Sequence, residues 1–133
     1  MTDASDPRRD RLEPVHLVRA AAGLDESWSP RVVAELDEHY VKVARLQGSL
    51  TWHAHDAEDE LFVVLEGELR IELTSGSVVL RTGDAFVVPR GVRHNPVAER
   101  ECLVMLVERK TTRHTGGEVT EKTRSIEEQL RPL

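Results

Sequence analysis

From position 40 onward the chain alternates short apolar or β-branched runs with clusters of turn-forming residues. The runs cover 40–47, 49–53, 60–65, 68–73, 77–80, 85–88 and 102–107. This rhythm predicts strands, because β-branched and aromatic residues suit a pleated, half-buried surface while Gly, Pro, Asp and Ser reverse the chain. The reversals fall at Gly48, the acidic segment 56–59, Glu66-Gly67, Ser75-Gly76, Thr82-Gly83-Asp84 and Pro89-Arg90-Gly91. Links this short leave no room for the crossover helices of a parallel sheet, so the pairing is expected to be antiparallel and the domain an all-β sandwich or barrel. The runs at 61–65 and 102–107 are apolar at odd and even positions alike. Both faces of those strands should therefore be covered, by an opposing sheet or by a second subunit, and a homodimer is expected.

The flanks read differently. Residues 1–14 are polar and broken by Pro7 and Pro14, the pattern of a disordered arm. Residues 15–39 form an N-terminal extension in which 15–24 suits a short helix stopped by Gly23. The stretch 29–39 suits either a helical turn or an edge strand beginning after Pro30. The barrel is placed at 40–112 and a C-terminal tail at 113–133, where Ser125 as N-cap and Glu128 three residues on predict a short helix with a capping box.

Composition narrows the chemistry. The 133 residues carry a net charge of −6, which offers no electrostatic footprint for nucleic acid. No apolar run approaches the roughly 20 residues of a membrane span, and the opening stretch lacks the apolar segment of a secretory signal; a cytoplasmic protein with no membrane partner is expected. The single cysteine, Cys102, has no internal disulfide partner and cannot by itself build a thiolate metal site, so it reads as a small buried hydrophobe. Any metal must be held by histidine and carboxylate.

Of six histidines, His16, His39 and His114 look scattered. His53 and His55 stand two apart, which in an extended strand points both imidazoles to one face. Glu60 begins the next apolar run, so a hairpin through 54–59 would return its carboxylate beside them, and His94 from a turn-rich segment can close the site. Three neutral imidazoles and a carboxylate suit one divalent ion, Fe, Mn, Zn, Ni or Cu. A His-x-His pair also opens metal-dependent hydrolases on α/β barrels, but those need about 250 residues. The acidic cluster Asp56, Glu58 and Asp59 reads as a solvated hairpin tip.

These residues resemble the cupin superfamily. Its first motif is matched by Gly48, four residues, His53-Ala54-His55, four residues, Glu60, six residues and Gly67. Its second is matched by Gly83, five residues, Pro89-Arg90-Gly91, two residues, His94, three residues and Ala98. Two departures stand out: the first gap is one residue short, and Ala98 occupies the place of a final Asn. The resemblance spans roughly 40–107 and implies a double-stranded β-helix, or jelly roll, with short flanking segments. It implies a metal held by His53, His55, Glu60 and His94, with Glu60 as an acid or base if it leaves the metal. It further implies an enzyme acting on a small polar molecule by dioxygenase chemistry or as a Lewis-acid isomerase, cyclase or decarboxylase, the alternative being a non-catalytic binding or accessory barrel. The likeness to mannose-6-phosphate isomerase carried by short proteins of this kind extends only to the barrel motifs, and fold does not fix function. Tyr40, Arg45, Phe62 and Arg93 are the candidate substrate-binding residues.

Overall fold

A computed structural model describes residues 12–133, so most of the expected arm at 1–14 lies outside the described residues. A short helix, α1 (Leu17–Ala22), precedes seven strands: β1 (Arg31–Leu36), β2 (His39–Ser49), β3 (Glu60–Glu66), β4 (Glu68–Leu73), β5 (Gly76–Arg81), β6 (Ala85–Val88) and β7 (His94–Arg109). A second short helix, α2 (Ile126–Gln129), ends the chain. Every strand pairing is antiparallel.

Strand β7 organises the rest. Its first residues pair with β4, from His94 opposite Leu73 to Val97 opposite Arg70, and its remainder runs between β2 and β3. A single 16-residue strand that serves both the β4–β5 hairpin and the β1-β2-β7-β3-β6 path curls the sheet onto itself as a jelly roll. Inward-facing Leu46, Phe62, Val64, Leu69, Ile71, Leu80 and Val104 fill the space between the two walls. On the outside, α1 lays Ala21 against Val43 and Leu103, with Leu65 at the margin. The second apolar face expected of these strands is thus covered here by a helix rather than by another sheet.

Two strand boundaries differ from the sequence expectation. The run 49–53 is not a separate strand: β2 continues to Ser49 through a register shift between Leu46 and Gly48, and His53 then joins the sheet through a single bridge to His94. Gly48 absorbs the irregularity as a bulge, with φ of 83°, where a turn was expected. Strand β7 begins at His94, eight residues before the apolar run that announced it. Residues 94–101 run from a buried polar start at His94 and Asn95 to three exposed charges at 99–101 and include Pro96, whose carbonyl accepts the Leu50 N–H at 3.2 Å. At 29–39 the open alternative resolves to a strand, β1, paired with β2 around a bulge between Val32 and Ala34.

The predicted capping box is present. The Ser125 hydroxyl accepts the Glu128 N–H at 3.1 Å, and Glu128 Oε1 accepts the Ser125 N–H at 2.9 Å. Gly67 is required where β3 turns into β4: its φ is 105°, and a Cβ there would sit 3.1 Å from the Glu101 carbonyl oxygen.

Ile71→Ala, a truncation at a fully buried wall position, should cost about 2–5 kcal/mol in urea unfolding. Val87→Thr on the exposed face of β6 should stay within about 0.5 kcal/mol of the parent.

Candidate metal centre

The backbone brings the two histidine segments together before any side chain is considered. The His53 N–H donates to the His94 carbonyl at 3.0 Å and the His94 N–H returns the bond to the His53 carbonyl at 2.9 Å. The His55 carbonyl accepts the Gly91 N–H at 2.8 Å, which ties the second histidine to the turn before His94. Glu60 opens β3 opposite Val88 on one side and Glu108 on the other. Its strand partners are therefore β6 and β7 rather than a hairpin through 54–59, yet its carboxylate comes to lie beside the histidines, as the sequence suggested.

His53, His55, Glu60 and His94 are all buried, and one nitrogen or oxygen from each lies within 4.8 Å of the others. Glu60 Oε1 is 3.3 Å from His94 Nε2 and 3.5 Å from His55 Nε2. Bonds of about 2.1 Å to a central ion put neighbouring donor atoms about 3.0–3.4 Å apart, so the spacing fits a coordination sphere. Two rings are already set for that role. His53 Nδ1 donates to the Thr51 carbonyl at 2.9 Å and His94 Nδ1 to the Val92 carbonyl at 3.0 Å. A carbonyl can only accept, so each ring keeps its proton on Nδ1 and turns the Nε2 lone pair toward the cluster. His55 Nε2, His94 Nε2 and Glu60 Oε1 are buried without a hydrogen-bond partner, which is costly in an apolar interior and is relieved by a cation.

The electrostatics agree. Burial, reinforced by the nearby His94, pushes His53 down to about 4. Burial works to raise the Glu60 carboxyl, but its interactions with His55, His94 and Glu108 carry it well below the usual carboxylate range. The cluster therefore holds neutral His53 and anionic Glu60, the forms a divalent ion needs.

Behind Glu60 stands a group that the motif reading missed. Lys42 is buried, with its Nζ 2.5 Å from Glu108 Oε1 and 2.6 Å from Gln129 Oε1. Burial and the charge of Glu60 push Glu108 up, against the opposing pull of Lys42. The sequence did carry a signal: Lys42 shares the parity of the core residues Ala44 and Leu46 in β2, and Glu108 that of Val104 and Leu106 in β7. Charged residues at inward positions of otherwise apolar strands mark a polar end to the barrel.

Beside the cluster lies a cavity of about 30 Å³, lined by apolar side chains including Trp28, Phe62 and Leu106 and by His53, Glu60 and His114. Of the four candidate substrate residues, the structure brings only Phe62 here, its ring 6.3 Å from that of His94. Tyr40 lies under Lys110 and Lys42, 5.3 and 5.9 Å from their Nζ atoms. Arg45 donates to the Leu24 carbonyl at 2.7 Å and pairs with Glu101 at 2.8 Å. Arg93 is exposed. His114, which had looked scattered, comes from an irregular tail where periodicity gives no warning of its position.

Comparison with known proteins agrees with this picture. The cupin domain profile matches residues 40–108. The chain is 32% identical over 96 residues to YdbB of Bacillus subtilis, covering 71% of this chain and 85% of that protein. It is similar to a cupin-2 domain containing protein from Shewanella frigidimarina, with a TM-score of 0.71, 32% identity and coverage of 77% and 99% of the two chains. It is also similar to protein NMB1881 from Neisseria meningitidis, with a TM-score of 0.67, 28% identity and coverage of 74% and 100%.

Metal-free protein should lose stability as pH falls from 6.5. His53 and His114 both sit at about 4 when folded, against 6.5 in the unfolded chain, so the unfolded state binds more protons between these values. Glu108, raised above 4.5, acts in the opposite sense by holding a proton in the folded state. With about one proton net in favour of unfolding, the urea-unfolding free energy should rise by about 1.4 kcal/mol per pH unit from roughly pH 4.5 to 6.5. A flat profile over that window would contradict the assignment of buried neutral histidines.

Proposed function

Because this chain belongs to the cupin domain family, we propose that it holds one divalent metal ion through His53, His55, Glu60 and His94 and is an enzyme acting on a small polar molecule at that ion. The observation that carries this reading is the convergence of four buried donor residues within 4.8 Å, three of which hold donor atoms with no hydrogen-bond partner. When bound, such an ion supplies dioxygen activation if it is a redox metal such as Fe, or Lewis-acid polarisation of a substrate oxygen if it is Zn, Mn or Ni.

The chain's own residues supply the rest. Glu60 brings one negative charge and keeps it against burial through its interactions with His55, His94 and Glu108. The Thr51 and Val92 carbonyls hold the His53 and His94 rings in the coordinating tautomer. Trp28, Phe62 and Leu106 keep bulk water away from the cavity side of the cluster, which strengthens every electrostatic interaction made there. The size of that cavity, about 30 Å³, limits any ligand there to a compact one; the second reading is a metal-bearing barrel that binds such a ligand without turning it over.

Protein purified without oxygen should carry close to one metal ion per chain by elemental analysis. His55→Ala should carry none while its circular dichroism is unchanged. Equal metal content in the two would remove the ligand assignment. Iron in the parent protein, with oxygen uptake on adding catechols or thiols, separates an oxygenase from Lewis-acid chemistry; a loaded protein inert to every class of small molecule supports the binding reading.

A further inference from the structure

The tail after β7 returns across the barrel and delivers one imidazole to the cavity. Gly116, with φ of 58°, packs so closely on the segment between the two histidines that a Cβ there would run into the Ala54 carbonyl. Thr115 is fully buried, its hydroxyl bonded to the Glu118 carbonyl and to Thr123 Oγ1. Lys122 Nζ donates to the Ser49 carbonyl. Arg124 is held through its guanidinium by the Glu121 carbonyl at 3.0 Å and by Glu26 at 3.3 Å. Gly116 and Lys122 thus fix the tail against the barrel, Arg124 ties it to the segment ahead of β1, and the Thr115 bonds hold its own shape.

Within that frame His114 has one orientation. Its Nδ1 accepts the backbone N–H of Arg124 at 2.9 Å. A nitrogen that accepts carries no proton, so the neutral ring carries its proton on Nε2, the reverse of the tautomer in His53 and His94. Burial lowers its pKa to about 4, which keeps the ring neutral near pH 7. His114 lines the same cavity as His53 and Glu60, yet it is not among the four converging donors, and no lysine or arginine shares the lining. Among the described residues no group accepts from this Nε2–H, and an N–H donor held in a mostly apolar cavity beside an ion site is placed to meet a ligand atom.

We propose that His114 is a ligand-contacting residue, its Nε2–H donating a hydrogen bond to an acceptor atom, such as the carbonyl, hydroxyl or oxyanion oxygen of a compact substrate, bound at the His53/His55/Glu60/His94 centre. The proposal rests on the metal-dependent reading above. It specifies the substrate further: a compact molecule whose recognition comes from one directed N–H and apolar contact, with no cationic side chain to hold a phosphate or carboxylate.

The test uses Co(II)-loaded full-length protein with azide as the probe, followed by visible absorption. His114→Phe should weaken azide binding about tenfold or more, the loss of one hydrogen bond to a charged group, while cobalt uptake stays with the parent and the thermal midpoint falls, because the Arg124 N–H loses its acceptor. His114→Gln, which keeps an N–H donor, should remain within about twofold of the parent. Unchanged azide affinity in His114→Phe overturns the proposal, as does equal weakening in both variants, which marks a packing role. Independently of any variant, the His114 Nε2–H proton resonance of the zinc-loaded parent should move on azide addition, and an unmoved resonance overturns the proposal. Failure of the parent to take up cobalt is read separately and removes the metal reading and this proposal together.

Discussion

Three imidazoles and a carboxylate face one another inside a barrel whose core is mostly apolar, and the rest of the structure is arranged around the cost of putting them there. Each lone pair removed from water without a partner costs on the order of 1–3 kcal/mol, so the cluster is stable only as far as neighbouring groups or a cation relieve it. The fold answers with backbone. Reciprocal bonds join His53 to His94, and the carbonyls two residues before each take up its Nδ1 proton. What remains unsatisfied points inward to one place, and that place is chemically suited to a divalent ion.

The barrel is accordingly polarised along its length. At one end Leu69, Ile71 and Leu80 pack a dry wall. At the other, inward positions of β2, β3 and β7 are occupied by Lys42, Glu60 and Glu108. A buried ion pair such as Lys42–Glu108 contributes little net stability, since desolvation offsets most of its attraction, whereas removal of one partner costs about 3–5 kcal/mol. Its value here is positional. Because Glu60 and Glu108 are register partners on adjacent strands, a lysine anchored to Glu108 also sets the electrostatic surroundings of Glu60.

The tail completes this end of the barrel from two directions. Gln129 of α2 reaches Lys42 from one side, and residues 114–116 press on the histidine segment from the other. Arg31 donates to the Pro132 carbonyl, so the same tail also ties down β1 at the sheet edge, where Lys110 just after β7 pairs with Glu35. A segment outside the cupin match at 40–108 therefore shapes the cavity and supplies one of its three polar lining residues.

The local grammar of the chain was sufficient for the strand rhythm, the antiparallel pairing, the capping box at Ser125 and the four donor residues, because each depends on short-range geometry: period-two alternation, turn residues, and the spacing of His53, His55, Glu60 and His94. It was insufficient wherever a long-range contact decided the outcome. The early start of β7 at His94 comes from pairing with β4 and the single bridge at His53 from pairing with His94, contacts more than 20 positions apart in the chain, and a charged, proline-bearing stretch does not announce such pairing. Tyr40, Arg45 and Arg93 looked as suitable as Phe62 for lining the barrel, since residue type does not say which side of the wall a side chain meets. Lys42 and Glu108 were legible only as inward-parity charges, and His114 not at all. Sequence by itself determined which residues can bind a metal; tertiary packing alone decided what surrounds them, because only the closed barrel and its returning tail set burial, and burial sets which lone pairs and protons are left to do chemistry.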